Sequence, residues 1–168
     1  MGQMIKEVVS TFQRGKTDVF KQIVDYYFES VFQICFFITG NTKTAEILAE
    51  KTFIYAYSNI HSYHSLQKYS VWLYQVSIKL AISHFDFNSP DNDYSKVTTD
   101  RFTFELTDMH RILMNLALEE RITLVLKHRE ELSIKEISEV LDTTEAFIRS
   151  TIWQGREKLR SVQLRNCL

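Results

Sequence analysis

Basic side chains concentrate at the C-terminal end of the chain. The last twenty residues contain a single acid, Glu157, and five bases: Arg149, Arg156, Lys158, Arg160 and Arg165. An arginine can donate two hydrogen bonds to a guanine edge, and arginine and lysine both bind phosphate. Because the formal net charge of the whole chain is −1, this basic segment is a local feature. It predicts that one end of the molecule contacts nucleic acid.

The residues just before this segment have the spacing of helix ends. Ser133 followed three residues later by Glu136 forms a capping box, which begins a helix, and the polar triplet 142–144 can end that helix and cap another. The second helix keeps an apolar stripe and leaves five polar residues largely on its other faces: Glu145, Arg149, Thr151, Gln154 and Arg156. This pattern predicts a helix-turn-helix whose second helix enters the major groove. A solvated helical hairpin is the alternative that the periodicity leaves open.

No comparable pattern favours catalysis or metal binding. His61 and His64 form a pair, but neither the two cysteines nor the other histidines fall at the short spacings that complete a zinc site. The chain has no nucleophile elbow, P-loop or glycine-rich phosphate cradle. We therefore predict no catalytic residue, no metal and no cofactor. The acidic pairs at 119–120 and 130–131 are expected on solvated helix faces.

The composition favours an all-α fold. The 168 residues include 2 Trp, 8 Tyr and 12 Phe, and 45% are hydrophobic, which is enough to fill a core. Only 4 Gly and 1 Pro are available for tight turns. Two cysteines give no disulfide framework, the N-terminus lacks a signal-peptide pattern, and the longest apolar cluster, 31–38, is too short to cross a bilayer. We expect a cytoplasmic protein without membrane insertion.

A polar, acidic segment at 86–105 divides the chain. It contains the only proline and lacks a helical apolar period, so it predicts a flexible linker between two small helical domains, 1–85 and 106–168. Three apolar stripes at helical spacing predict packed helices in the first domain. The first contains Phe20, Ile23, Val24, Tyr27, Val31 and Ile34; the second Ala45, Leu48, Ala49, Phe53, Ala56 and Tyr57; the third Trp72, Leu73, Val76, Leu80 and Ile82.

Several further segments occur in a characteristic order. They are RGKTDVF at 14–20, AEILAEKTF at 45–53, WLYQV at 72–76, LALEER at 116–121, LSIKEIS at 132–138 and IRSTI at 148–152, followed by REKLR at 156–160. In order and spacing they resemble the two-domain bacterial sigma factors of the extracytoplasmic-function type, in the sigma-70 family, from about Phe12 to Arg160. The resemblance implies a protein that binds core RNA polymerase and directs promoter-specific transcription initiation, with no reaction of its own.

The resemblance also implies which residues contact each partner. The helix that docks on core RNA polymerase corresponds to Glu46, Ile47, Glu50, Lys51 and Phe53. Recognition of the −10 promoter element is expected at Tyr63, His64, Lys68, Tyr69, Trp72, Gln75 and Lys79. Recognition of the −35 element is expected at Ser133, Thr144, Glu145, Phe147, Arg149, Ser150, Thr151, Gln154 and Arg156. By resemblance, an anti-sigma factor is a further expected partner.

Aromatic rings near 61–72 suit the capture of unstacked bases. Trp72 begins an apolar helix, which favours a core position, whereas Tyr63 and Tyr69 lie in a polar stretch and suit either role. Weak binding of free duplex DNA is expected, because a sigma factor acts when attached to polymerase.

The first domain departs from the family pattern at Ile47, Lys51, Lys79 and Asp86. Two alternatives therefore stay open. One is a stand-alone helix-turn-helix regulator, and the other is a diverged sigma-like protein that docks on polymerase without opening promoters.

Overall fold

The regular elements of the protein are helices throughout the residues that the computed structural model describes, 2–63, 67–84 and 107–166. The predicted all-α fold is confirmed. The α-helices are α1 (Gly2–Gln13), α2 (Phe20–Thr39), α3 (Thr42–Asn59), α4 (Tyr69–His84), α5 (Asp108–Met114), α6 (Leu118–His128), α7 (Ile134–Val140) and α8 (Glu145–Asn166). Short 3-10 turns occupy Thr17–Val19 and Ile60–Ser62. The predicted linker, 86–105, lies outside the described residues.

Helix α2 is the centre of the first four helices. Its second half, 31–39, is buried on every side, because it packs against α3, α4 and α6. Each fully buried Phe or Ile contributes on the order of 1.5–3 kcal/mol by leaving water. Gly40 ends the helix in the left-handed conformation, with φ of 68°, and Asn41 then caps α3 by accepting a hydrogen bond from the Thr44 amide at 2.9 Å.

The predicted stripe of α2 is confirmed and that of α4 is partly wrong. On α4 only Leu73 of the predicted set is fully buried, while Ile82 is exposed. The buried face instead includes Tyr69, Val71, Tyr74, Ser77, Ile78 and Ala81. The reason is that α4 packs against α2 and α3 and also against α7, so its apolar residues cover more than one stripe. The periodicity of one helix does not reveal a contact with a helix far away in sequence, such as that of α4 with α7.

The predicted helix-turn-helix is present as α7 and α8. The Oγ of Ser133 accepts a hydrogen bond from the Glu136 amide at 3.2 Å, and the Glu136 carboxylate accepts one from the Ser133 amide at 2.8 Å. Asp142 takes the turn with φ of 50°, a conformation that non-glycine residues adopt at some cost. Thr144 then caps α8 by accepting from the Phe147 amide at 3.2 Å. The capping residues named from sequence therefore set both helix boundaries.

The helices on either side of the predicted linker pack against each other. Helix α2 contacts α6, helix α4 contacts α7, and the buried apolar residues of both sides form one continuous cluster. Phe37 on α2 stacks on the His110 ring of α5, with centroids 5.4 Å apart and planes 12° apart. At the other side of this contact the Tyr74 hydroxyl donates to the Glu130 carboxylate at 2.5 Å. The two halves of the chain therefore share a core in this arrangement.

The expectation that both acidic pairs are solvated is wrong at two of the four positions. Glu120 is 5% exposed, accepts from the Lys158 ammonium at 2.6 Å and also caps the Ala117 amide at 3.2 Å. The Glu130 side chain is 7% exposed. Both carboxylates accept hydrogen bonds from residues far away in sequence, Glu120 from Lys158 and Glu130 from Tyr74. The local charge pattern does not reveal these partners.

Candidate nucleic-acid interface

The first three turns of α8 present a solvent-exposed face of mixed polar and aromatic chemistry. Exposed residues of the predicted −35 set are Ser133, Thr144, Glu145, Phe147, Arg149, Ser150, Gln154 and Arg156. Arg149 lies one turn after Glu145 and donates to its carboxylate at 3.2 Å. Such an exposed pair contributes little to stability and can exchange for another partner. The structure thus brings most of the predicted −35 residues to one accessible helix.

Two residues of α8, one polar and one basic, make hydrogen bonds or ion pairs within the protein. Thr151 is 3% exposed, and its hydroxyl donates to the Phe147 carbonyl at 2.9 Å, so the structure contradicts its assignment to a DNA-contacting face. Lys158 forms the ion pair with buried Glu120.

Gly155 explains why α8 lies so close to α6: a Cβ at this position would come 2.8 Å from Leu124 Cδ1.

Trp153 is an exposed residue of this face that the predicted set did not include. It is 66% exposed, and it lies between Arg149, four residues before it, and Arg156, three residues after it, on the helix surface. An exposed Trp between two arginines is unusual for a solvated helix, since large aromatics normally bury their rings. The helical spacing could have indicated this exposure, because Ile148 and Ile152 lie on the buried stripe and residue 153 lies beside it.

Arg156 is oriented by a histidine of α6. Its guanidinium donates to His128 Nε2 at 3.2 Å. Burial and then the neighbouring Arg156 and Lys127 charges lower the pKa of His128, which keeps the imidazole neutral and able to accept. The arginine is therefore held beside α6 rather than extended freely from α8.

The predicted base-stacking tyrosines are buried, and their assignment to an exposed platform is wrong for this arrangement. Tyr63 is 6% and Tyr69 2% exposed, and their rings meet edge to face with centroids 5.2 Å apart. The Tyr63 hydroxyl donates to the Gln67 carbonyl at 2.6 Å. Burial raises the pKa of both phenols. Trp72 completes the cluster and is half-buried, while His64 lies outside the described residues.

Three other predicted −10 residues converge on one small cavity. Trp72, Gln75 and Lys79 line a space of about 240 Å³ between α4 and α3, together with Tyr55, Val76 and Leu80. Apolar and aromatic side chains form its walls, and the exposed Lys79 ammonium supplies a positive charge. This combination suits a flat, partly apolar group attached to a phosphate.

Two predicted −10 residues contact α7. The Lys68 ammonium lies 2.6 Å from a Glu136 carboxylate oxygen, and Gln75 Nε2 donates to the Glu139 backbone carbonyl at 2.6 Å. Burial alone would raise the pKa of Glu136, but the hydrogen bonds from Lys68 and Ser133 outweigh it, so this pKa lies below its usual range. The Glu136 carboxylate is therefore charged and faces Lys68 at neutral pH.

The predicted polymerase-docking residues lie on α3. Ile47, Glu50 and Lys51 are exposed and Glu46 is half-buried, whereas Phe53 is 5% exposed and faces the core, which contradicts its assignment to a docking surface. Ile54, not anticipated from sequence, is 67% exposed at helical spacing from Ile47 and Glu50. The outer face of α3 thus carries charged side chains and two exposed isoleucines.

Within the described ranges, no three His, Cys, Asp or Glu side chains are placed to hold a metal ion. No helix among those ranges has the length and hydropathy needed to cross a membrane.

Comparison with known proteins decides the family. Residues 106–159 match the family model described as Sigma-70, region 4. The ECF RNA polymerase sigma factor SigW of Bacillus subtilis (strain 168) is 32% identical over an alignment of 187 positions, gaps included, which covers 99% of this chain and 100% of that protein. The chain belongs to the ECF sigma factors. As a member of that family it directs transcription initiation, and the function expected from the resemblance is confirmed.

Solved structures support the fold of this ECF sigma factor. The sigma factor RpoE in complex with the anti-sigma factor NepR from Bartonella quintana aligns with a TM-score of 0.70 at 15% identity, over 86% of this chain and 96% of that one. CnrH in complex with the cytosolic domain of CnrY aligns with a TM-score of 0.72 at 14% identity, over 93% and 94%. At these identities the likeness concerns the helical fold alone.

Proposed function

We propose that this sigma factor divides promoter recognition between α8, which reads the −35 element, and α4, which reads the −10 element. The exposed N-terminal face of α8 is the observation that carries the proposal. Phe147, Arg149, Ser150, Trp153 and Gln154 are all accessible there, on the helix that a helix-turn-helix inserts into the major groove. Arg149 suits a guanine edge, and Phe147 suits a thymine methyl group.

The cavity beside α4 is the proposed site for an unstacked base of the −10 element. Trp72 supplies an aromatic wall, Gln75 an amide for the base edge, and Lys79 a charge for the adjoining phosphate. The buried Tyr63 and Tyr69 support the Trp72 ring from below rather than binding DNA themselves. Recognition of bases and opening of the duplex need binding energy only, so the protein is not an enzyme and core polymerase performs the chemistry.

Core RNA polymerase is the proposed partner of the outer face of α3. Ile47 and Ile54 give that face two apolar contacts, and Glu50 and Lys51 give it charges that restrict the orientation of docking. This face adjoins the α4 cavity, since Tyr55 of α3 lines that cavity and the Lys51 ammonium lies 3.3 Å from His84 Nε2 of α4. The division of the chain into 1–85, a linker at 86–105 and 106–168 belongs to the same proposal, as does action in the cytoplasm, where polymerase and promoter DNA lie.

An anti-sigma factor is the proposed regulator. Two solved structures of the same fold are complexes: the sigma factor RpoE with the anti-sigma factor NepR, and CnrH with the cytosolic domain of CnrY. In this chain a groove of about 560 Å³ lies where α2, α5, α6 and α8 meet, with apolar walls from Phe37, Met109, Leu113 and Leu159. Arg129 and Arg156 lie at the groove, and no acid is among the described residues that line it. An apolar helix with acidic flanks fits this chemistry.

Reconstituted transcription tests the proposed function. The purified chain is added to bacterial core RNA polymerase on fragmented genomic DNA of the source organism, and the 5′ ends of the transcripts are mapped. New start sites that share paired upstream elements are expected. Folded protein that binds polymerase but yields no new start sites would identify a docking protein, and specific duplex binding without polymerase would identify a stand-alone regulator.

A further inference from the structure

Arg156 differs from the other described basic side chains of α8 in the chemistry of its partner. The others lie at ion-pair distance from a carboxylate: Arg149 from Glu145, Lys158 from Glu120 and Arg160 from Glu157. Arg156 instead donates to the Nε2 atom of His128 on α6 at 3.2 Å, and the described part of the chain places no carboxylate at ion-pair distance from its guanidinium. The positive charge of this exposed arginine is therefore not neutralised within the protein.

The contact between Arg156 and His128 requires a neutral imidazole. A guanidinium only donates hydrogen bonds, so Nε2 must keep its lone pair and the ring proton must be on Nδ1. Burial, and then the charges of Arg156 and Lys127, lower the pKa of His128, which favours this neutral form at neutral pH. The Lys127 ammonium does not compete for the same acceptor, because it donates to the Leu132 carbonyl at 3.2 Å. His128 thus directs the guanidinium without cancelling its charge and leaves its remaining N–H groups available to another acceptor.

The position of Arg156 along α8 suits a phosphate rather than a base. Arg156 follows Arg149 by seven residues on the same stripe of the helix, since seven residues make nearly two turns. The helical rise separates the two positions by roughly 10 Å, whereas the major groove is only about 8.5 Å deep. When the N-terminal residues of a recognition helix reach base edges, a side chain this far along the helix is level with the sugar-phosphate wall of the groove.

We propose that His128 is a positioning residue for DNA binding, which aims Arg156 at a phosphate beside the −35 element. The proposal rests on the proposed assignment of α8 to that element. An arginine that is already oriented loses less side-chain freedom when DNA binds, so more of the contact energy appears as affinity. Phosphate contacts fix the register of the protein on DNA and carry no sequence information directly. The pair of Arg156 and His128 therefore contributes affinity and leaves base preference to the N-terminal turns of α8.

Four single variants and one double variant of the full chain test the proposal. His128→Leu removes the acceptor, whereas His128→Gln keeps an acceptor in the amide oxygen of the side chain. Arg156→Ala removes the guanidinium. Arg160→Ala is its matched control, because it removes the same charge one turn further along α8, where Glu157 already lies 3.0 Å away. The double variant of His128→Leu with Arg156→Ala completes a double-mutant cycle, which separates coupled from independent effects.

Each variant is assembled with core RNA polymerase, and transcript start sites are mapped on genomic DNA of the source organism. The affinity of each holoenzyme is then measured for a labelled duplex that carries the start site most used by the parent protein, at salt concentrations from roughly 50 to 200 mM.

We expect His128→Leu to weaken binding about threefold to tenfold, the range of one net hydrogen bond, and His128→Gln to weaken it less than about twofold. Arg156→Ala should weaken binding at least as much as His128→Leu and reduce the slope of log affinity against log salt by about one. His128→Leu should have no further effect once Arg156 is absent. Arg160→Ala should stay within about twofold of the parent protein, in the range of an exposed ion pair. The sequence elements shared by the start sites should be the same for all variants.

Equal weakening by His128→Leu with and without Arg156 would overturn the proposal, because the histidine would then act independently of the arginine. Unchanged affinity of His128→Leu would overturn it as well. A loss in Arg160→Ala equal to that in Arg156→Ala would show that charge alone matters, and an altered −35 preference in Arg156→Ala would show that this arginine reads bases. Absence of start sites with the parent protein would reject the proposed function itself, whereas start sites from the parent with unaltered variants reject only the role of His128.

Discussion

Gln75 of α4 donates a hydrogen bond from its side-chain amide to the backbone carbonyl of Glu139 on α7, over 2.6 Å and across 64 positions of sequence. The bond joins a proposed DNA-binding residue to the helix-turn-helix. Because the acceptor is a backbone atom near the end of α7, substitution of the Glu139 side chain leaves the bond intact, whereas substitution of Gln75 removes it. This contact between the two halves of the chain can therefore be removed by substitution of Gln75 but not by substitution of Glu139.

Gln75→Leu should lower the free energy of unfolding by about 1 kcal/mol, since one net hydrogen bond is lost and the Glu139 carbonyl loses its partner. Urea unfolding followed by circular dichroism measures the change. Gln22→Leu, at an exposed position of α2, is the control and should stay within about 0.5 kcal/mol of the parent. Equal stability of the Gln75 and Gln22 variants would show that the two halves are not held together in solution.

Gly155→Leu should destabilise the protein by about 1–3 kcal/mol. The new side chain would enter the space where a Cβ already comes 2.8 Å from Leu124, which is itself 3% exposed and cannot move into solvent. Thermal unfolding measures the loss. Ala146→Leu introduces the same side chain on the same helix at an exposed position and should have little effect. A Gly155 variant as stable as this control would mean that α8 packs further from α6.

Glu136 should make stability depend on pH. Its pKa is lower in the folded chain than its usual value of 4.5, so its stabilising contribution is complete above that value and is lost as the pH falls through the folded pKa. The difference in unfolding free energy between the parent protein and Glu136→Gln should therefore be constant from about pH 6 to 8 and should shrink toward about pH 3. Urea unfolding across this range measures it. Lys68→Met should weaken the same pH dependence, and an unchanged difference at every pH would contradict the ion pair.

Trp153 and Ile54 should separate DNA recognition from polymerase docking. Both are about two-thirds exposed, at 66% and 67%, so replacement of either by Ala should leave stability within about 0.5 kcal/mol. Trp153→Ala should weaken transcription from promoters with a −35 element while polymerase binding stays intact. Ile54→Ala should weaken polymerase binding and leave promoter preference as it was. Binding to core polymerase and multi-template transcription measure the two effects, and loss of both activities in both variants would contradict separate surfaces.

Local sequence signals predicted the parts of the fold that are set locally. The scarcity of glycine and proline indicated helices, Ser133 and Glu136 marked the start of α7, and Thr144 marked the start of α8. Each of the two helix caps depends on neighbours within four residues. The family order then supplied the function, which no single motif carried.

The site was less predictable where packing comes from distant residues. Tyr63 and Tyr69 lie in a polar stretch but are buried against each other and Trp72, and Glu120 is buried because Lys158 reaches it across 38 positions. Thr151 is on the edge of a buried stripe, where a small rotation of the helix about its axis would move the side chain between core and solvent. Such outcomes depend on how helices pack, and helix periodicity alone does not specify the packing partner.

The most direct test of the account compares start-site maps of the parent protein, Arg149→Ala and Lys79→Ala, each with core RNA polymerase on the same genomic DNA. Arg149→Ala is expected to relax base preference at the −35 element alone, with a discrimination loss of about 1–3 kcal/mol at the affected position. Lys79→Ala should change preference or opening at the −10 element alone. Maps in which both variants lose the same element, or in which neither differs from the parent protein, would contradict the division of promoter recognition between α8 and α4.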